Sequence, residues 1–389
     1  MVSFENTEIA FRSKSTGELR KAWFMFRIIG FPFLLSIGRP FAFFAARFGG
    51  VFRFVIKRTL FQQFCGGENL NDCEDVIRKL SRSNIKTILD YSVEGSGTEK
   101  DFENNLLQIL KTMDKSASDP NIPFNVFKPS AIARAEILEK AGSSNHLTPN
   151  ETLELQRVRE RMETIFEKAA SIEKGIMVDA EESWIQSYVD QLVLDGMRKY
   201  NREKVIVFNT FQMYRHDKLE ELKRVYETSR KEGFILGIKL VRGAYTEKER
   251  IYAAENNKKS IVYSDKEGTD NAFDDALKFI CERIHGIALC AGTHNEKSCL
   301  LLTELIKECH IEKNHQHLYF SQLYGMSDHI SFNLSESGYN VVKYVPFGPV
   351  REVIPYLIRR AEENSSISGQ SSRELGLLTK ELKRRKFDK

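Results

Sequence analysis

Val205-Ile-Val-Phe-Asn209 and Leu236-Gly-Ile-Lys239-Leu-Val241, separated by a long polar segment of helical spacing, decide the fold of this chain. Both runs are short, rich in β-branched residues and apolar almost throughout. That suits a strand buried on both faces rather than one alternating between core and solvent. The same unit recurs on either side. Thr87-Ile-Leu-Asp-Tyr91, Pro123-Phe-Asn-Val-Phe-Lys128 and Gly175-Ile-Met-Val-Asp179 precede it, and Gly286-Ile-Ala-Leu-Cys290, His317-Leu-Tyr-Phe-Ser321 and Asn340-Val-Val-Lys-Tyr-Val345 follow. Each run is bounded by turn or polar residues and followed by helical spacing. Alternating strands and helices imply a parallel sheet covered by helices. Eight such units point to an α/β fold of the distorted (β/α)8, TIM-like kind. An open doubly wound sheet shares this periodicity, which does not register closure. Between Lys128 and Gly175 there is room for two helices. Thr148-Pro149-Asn150-Glu151 opens the second with a capping-box spacing and a proline in the first turn, and Leu153 to Lys174 continues it.

The chain has 389 residues, enough for a barrel plus an extension, and a net charge of +4, too mild to argue for a nucleic-acid partner. Its six cysteines form no CxxC pair and no Cys/His ligand spacing, so they read as reduced structural thiols. Residues 1–64 stand apart, with ten Lys/Arg against three Glu and 14 of the 27 Phe. This N-terminal helical extension is expected to pack on the main domain, to lie on an anionic membrane surface, or both. Gly66-Gly67 ends it, and residues 65–389 form the barrel with a C-terminal helical tail. Arg27 and Pro32 interrupt the longest apolar stretch, Ala22 to Gly38, so no span of a bilayer is expected. No signal peptide or Arg-rich transit peptide is expected either. The tail Lys380 to Lys389, including Lys383-Arg-Arg-Lys386, reads as a solvated helix end, or as one that touches membrane or covers the barrel mouth.

Chemistry in such a barrel sits at the carboxyl ends of the strands. Polar residues crowd there: Lys128, Asp179-Ala-Glu-Glu182, Asn209-Thr-Phe-Gln212, Lys239 with Arg242-Gly-Ala-Tyr245, Gly292-Thr-His-Asn295, Gln322-Leu-Tyr-Gly-Met326 and Tyr344. After the eighth run comes Tyr356-Leu-Ile-Arg359-Arg360-Ala-Glu-Glu363-Asn364. Helical spacing gathers Tyr356, Arg359, Arg360 and Glu363 on one broad face. Adjacent arginines are ordinarily a solvated face. Two guanidiniums under an aromatic after an eighth strand suit a small carboxylic acid with an apolar body. No Rossmann fingerprint, P-loop, HExxH or GxSxG is present, and the acidic residues show no metal grouping. A bound organic cofactor carrying electrons is the natural reading of a basic mouth with few nucleophiles.

Phe64-Cys-Gly-Gly-Glu68, Phe127-Lys-Pro-Ser-Ala131, Asp179-Ala-Glu-Glu182, Lys239-Leu-Val-Arg-Gly-Ala-Tyr245, Gly292-Thr-His-Asn295, Gln322-Leu-Tyr-Gly-Met326 and Tyr356 to Asn364, in this order, resemble the monofunctional proline dehydrogenases. The resemblance runs from about Phe64 to Asn364. It implies a distorted (β/α)8 barrel that binds FAD without a covalent bond and oxidises L-proline to Δ1-pyrroline-5-carboxylate. It makes Arg359 and Arg360 the clamp for the proline carboxylate, with Lys128 approaching the same group. Tyr344, Tyr356 and Leu323 would wall the ring. Asp179 and Lys239 would act beside the flavin. Ala180, Thr210 or Gln212, Val241, Arg242, Gly243, Ala244, Thr293, His294 and Gln322 would hold the cofactor, with Glu363 steadying an arginine.

Two departures stand out. Many bacterial members have an arginine at the place of Lys239, so a bidentate contact becomes a point charge. Many also have a glutamine near Thr210, and Thr210 and Gln212 remain alternatives. The resemblance further implies a membrane quinone as electron acceptor, peripheral contact with the inner face of the membrane from a cytoplasmic site, and a separate pyrroline-5-carboxylate dehydrogenase downstream. Hydroxyproline oxidation on the same scaffold is the near alternative; Tyr344 should crowd a 4-hydroxyl. A non-catalytic membrane-surface scaffold is the distant one.

Overall fold

The computed structural model describes residues 2–29, 56–92, 97–143, 146–366 and 370–387; within these, the side chains of 28–29, 361–366, 370–371 and 387 are left out. All eight expected strands form: β1 (Ile85–Tyr91), β2 (Phe124–Phe127), β3 (Gly175–Val178), β4 (Val207–Gln212), β5 (Leu236–Val241), β6 (Ile287–Gly292), β7 (Leu318–Leu323) and β8 (Val341–Phe347). They close into a barrel in sequence order. β4 starts and ends later than its apolar run. Asn201, fully buried, takes the Ile206 and Val207 N–H groups on its Oδ1 at 2.9 and 2.8 Å. The polar stretch Asn209 to Gln212 then pairs with Ile238 to Val241. Backbone pairing is indifferent to side-chain polarity, so a strand can outrun its apolar run.

The contacts divide the chain into two compact units, Met1–Val93 with Gln322–Lys389, and Glu94–Ser321. In the second unit, the long gap holds helices Ala135–Gly142 and Pro149–Ser171, the latter opened by the Thr148/Glu151 capping box with Pro149 in its first turn. Registers Phe208↔Met177, Thr210↔Lys239 and Lys239↔Cys290 fix which side chains share a face, because alternate residues point the same way. Thr210 and Gln212 therefore share the face of Lys239. Asn209 lies on the other and donates to Asp190 Oδ1 at 2.8 Å on helix Ser183–Tyr200. Near the amino ends of the strands, Phe124 meets Phe208 and Tyr319 edge-on, with centroids 5.4 and 4.9 Å apart. A Cβ on Gly175 would lie 2.5 Å from the Phe124 ring, so glycine is what lets that aromatic layer close.

In the first unit, β1 and β8 pair in parallel, with Ile88 opposite Tyr344 and Asp90 opposite Pro346. The chain at Gly66-Gly67 runs along the end of β8: Gly66 N–H donates to Pro346 O at 2.8 Å, and Gly348 N–H to Gly67 O at 3.0 Å. Helix Thr16–Ile29 buries Leu19, Ala22, Met25 and Phe26 in an apolar cluster with Phe11, Phe61, Phe64, Met326, Tyr356, Leu357, Leu377 and Leu378. Phe24, on the same helix, is 61% exposed. Much of the Phe-rich stretch, residues 30–55, lies outside the described residues. Among those described, no helix is long and apolar enough to cross a membrane.

The basic tail departs from the expected solvated end. On helix Gln370–Phe387, Arg384 and Arg385 both bind the fully buried Glu381, and Arg385 also donates to Phe11 O at 3.0 Å and Lys14 O at 2.8 Å. Arg385 thereby caps the carbonyl end of the short N-terminal helix Thr7–Phe11, where cations are favoured. A charge run in sequence does not display its partners.

Candidate active site

The second unit carries most of the expected cofactor residues. Lys239 projects from β5 and its Nζ hydrogen-bonds Asp179 Oδ1, just past β3; both side chains are nearly buried. Lys239 stands opposite Thr210, and Asp179 follows Val178, which stands opposite Asn209, so both charges fall on the same face. Beside them, burial pushes the Cys290 thiol up to about 12, against the pull of the Lys239 charge. It is a neutral core thiol. Thr210 donates from Oγ1 to Val178 O at 2.7 Å, and Gln212 donates from Nε2 to Glu181 O at 2.8 Å. Both are buried and tie β4 to the β3 exit, Gln212 through the loop and Thr210 through the strand itself.

Glu181, two residues beyond Asp179, had no role assigned from the sequence. Its carboxylate accepts the N–H of Ser130 at 2.8 Å and its Oγ–H at 2.5 Å. This pins the Lys128-Pro129-Ser130 turn to the exit of β3 and so sets the position of the half-buried Lys128. Burial raises the Glu181 carboxyl, and the Ser130 bonds and the Lys128 charge oppose the rise without reversing it.

Arg242, at the exit of β5, spends its guanidinium on three partners: Asp270 Oδ1 at 2.6 Å, Thr293 Oγ1 at 2.6 Å and Ser298 Oγ at 2.9 Å. Its plane lies 4.4 Å from the Phe273 ring centre. Asp270 stays ionised: burial would raise its carboxyl, but Lys266 and Arg242 together lower it. Gly243 follows at φ +121, where a Cβ would sit 2.5 Å from the Tyr214 ring. The exposed Ala244 follows, and the half-buried Val241 precedes Arg242. Thr293 is buried, His294 half-buried, and Asn295 caps helix Glu296–Glu308 through bonds from Lys297 and Ser298 N–H. Ala180 is buried. Asp270, Ser298 and Tyr214 carried no sequence signal, since nothing in their local spacing marks a partner of Arg242.

The first unit carries the expected substrate residues other than Lys128. Helix Ile354–Ser366 forms where the spacing placed it. Arg360 is buried and its guanidinium lies 5.0 Å from the ring centre of Tyr356, also buried. Arg359 is half-buried. The Glu363 side chain lies outside the described residues. Leu323 is half-buried, and Tyr344 is buried on β8, with its carbonyl accepting Tyr324 N–H at 2.8 Å. Gln322 accepts Ser331 Oγ–H at 2.8 Å on its Oε1. Asp90, buried at the end of β1 on the face of Ile88, holds a short hydrogen bond from Ser92. It is a strand-end carboxylate that the sequence reading passed over.

A family model described as proline dehydrogenase matches residues 73–373. The mitochondrial proline dehydrogenase 1 of Dictyostelium discoideum is 33% identical in an alignment covering 98% of this chain and 75% of that protein. The carbapenem antibiotics biosynthesis protein CarD of Pectobacterium carotovorum subsp. carotovorum is 35% identical over 83% of each. Among solved structures, proline utilization A from Bdellovibrio bacteriovorus, inactivated by N-propargylglycine, superposes with a TM-score of 0.71 at 21% identity. That match covers 80% of this chain but 34% of the other, so the chain spans about a third of its length, and the likeness is one of fold.

Proposed function

The chain belongs to the proline dehydrogenase family, and from that premise we propose that it oxidises L-proline to Δ1-pyrroline-5-carboxylate with bound FAD. The observation that carries the proposal is the pair Arg359-Arg360 on one helix with Tyr356 stacked beneath Arg360. Two guanidiniums offer parallel donors to one carboxylate, and the aromatic offers an apolar wall to a five-membered ring. Lys128, held through Ser130 and Glu181, is a further cation that the family resemblance assigns to the carboxylate. Tyr344 and Leu323 are suited to close on the ring, and the bulk of Tyr344 disfavours a 4-hydroxyl.

A flavin nucleotide fits the exits of β4 to β6. Gly243 has no room for a Cβ because the Tyr214 ring packs against it, which fixes the backbone at the exit of β5. Val241, Arg242, Ala244, Thr293 and His294, with Ala180, Thr210 and Gln212, supply the donors and contacts such a group needs, and Gln322 adds an amide. When bound, the flavin accepts the hydride that leaves C5 of proline. The work left to this chain is positioning. The arginine pair fixes the carboxylate and so aims C5. Lys239, anchored by Asp179, keeps a positive charge in place against negative charge gained during reduction. Loss of the C5 hydride together with the proton on the ring nitrogen leaves the imine. Transfer of the electrons to a membrane quinone, with residues 1–64 aiding contact with the membrane, completes the proposed cycle. A separate dehydrogenase then takes the product.

The test is the visible spectrum of the purified chain, followed by anaerobic addition of L-proline. A flavin band that bleaches supports the reading, and a colourless protein sinks it. Arg359→Met should keep the flavin and raise the KM for proline roughly 10- to 100-fold, as expected for one lost charged hydrogen-bond pair. An unchanged KM refutes the clamp, and faster turnover of 4-hydroxyproline than of proline overturns the choice of substrate.

A further inference from the structure

Behind the turn that follows β7 lies a buried charge cluster that the proposed chemistry does not use. Asp328 opens helix Asp328–Glu336; its Oδ2 accepts Lys14 Nζ at 2.8 Å and its Oδ1 accepts Lys343 Nζ at 2.9 Å. Lys343 is fully buried on β8 and also donates to Met326 O at 2.5 Å and Leu323 O at 3.4 Å. Glu374, buried on the C-terminal helix, accepts the N–H of Ser327 at 2.6 Å. Gln63 donates from Nε2 to Gly325 O at 2.7 Å.

The turn so held has two residues in the left-handed region, Gly325 at φ +80 and Ser327 at φ +51. A serine in that region stays only where its surroundings over-determine it. Burial alone would raise the Asp328 carboxyl, but the two ammoniums override it and hold it well below the usual range. Burial also opposes the charge of both lysines. Asp328 outweighs it at Lys14, whose pKa is raised, and fails to at Lys343, whose pKa is lowered.

Buried charges of this density are a poor way to close a core, since apolar residues of like volume do so at less cost. Two cations here face two buried carboxylates, Asp328 and Glu374, and one of the cations, Lys14, lies far from β8 in sequence. It comes from the N-terminal segment, whose Phe11, Leu19 and Phe26 pack in the same apolar cluster as Met326 and Tyr356, with Leu323 against it.

We propose that Lys14, acting through Asp328 and Lys343, is a positioning residue that sets the turn 323–327 and with it the Leu323 wall of the substrate site. The N-terminal segment is then part of the machinery for proline as well as a surface for docking. This rests on the reading of Leu323 as a substrate wall. A misplacement of about 1 Å at a reacting centre costs up to about 100-fold in rate.

The test uses the full, flavin-loaded chain. Lys14→Met leaves Asp328 paired with Lys343. Expected are an unchanged flavin spectrum and a fall in kcat/KM of about 10- to 100-fold, carried mainly by KM, with Lys14→Arg restoring most of it. A parental KM in Lys14→Met overturns the inference, as does a loss that Lys14→Arg fails to restore. Should Lys14→Met not fold, Lys14→Gln, which keeps a donor without the charge, is read in the same way; failure of both to fold overturns the inference, since Lys14 is then only structural. A parent chain whose flavin is not reduced by proline sinks the proposed function instead, so the two failures are distinct.

Discussion

Lys239→Met tests the ion pair on the inner strand face. Methionine keeps most of the length of the lysine and none of its charge. The side chains of Lys239 and Asp179 are 9% and 14% exposed, so Asp179 would be left as a carboxylate that water reaches poorly. Removing one partner of a buried pair costs about 3–5 kcal/mol. The residual exposure of Asp179 favours the lower end, about 3 kcal/mol by the same measure. Equilibrium urea unfolding of parent and variant at pH 7 reads the loss directly, with Lys239→Arg as the charge-retaining control. A loss below about 1 kcal/mol refutes the claim that Asp179 depends on Lys239.

Gly325→Ala should cost about 2–4 kcal/mol: a Cβ at φ +80 is unfavourable by about 1 kcal/mol, and it would sit 2.0 Å from Gln63 O, so the Gln63 bond is lost as the chain moves away. Urea unfolding checks this, and a cost under about 1 kcal/mol shows that the approach to Gln63 is not tight. Asp328, whose folded carboxyl lies below its unfolded value of about 3.9, adds stability above that pH and loses it as pH falls below. Asp328→Asn should therefore lower stability at pH 7 and flatten the acid limb between pH 5 and 3; an acid limb parallel to that of the parent contradicts the pairing.

The eight strands were legible because a strand buried on both faces must be apolar at nearly every position, and that leaves a run no surface helix shares. The Tyr356 to Asn364 helix was legible for a similar reason, since its spacing is local. Partners distant in sequence were not legible. Lys343 in Val341-Val-Lys-Tyr-Val345 was a visible signal, because a lysine inside such a strand demands a counter-charge, but nothing local pointed to Asp328 or Lys14. The same holds for Arg242, whose partners Asp270 and Ser298 come from two later helices. Glu181 stood within a quoted motif, yet its task became visible only with Ser130 beside it. Nor could periodicity tell that Met1–Val93 groups with Gln322–Lys389 rather than with its neighbour in sequence.

The arginine-capped N-terminal helix has a consequence for synthesis. Glu5 and Arg373 are 368 positions apart, as are other contacts that tie Phe11 and Lys14 to the C-terminal helix by similar spans. At 5–20 residues per second a ribosome delivers the second partner roughly 20–70 s after the first. For that interval Phe11, Leu19 and Phe26 have no finished surface to cover them, while Glu94–Ser321 is continuous and complete before the C-terminal helix emerges. The order of birth of the segments thus opposes the order in which they pack. Phe11, Leu19 and Phe26 are made before their partners and are among the last residues to find their place, so the nascent chain needs shielding there.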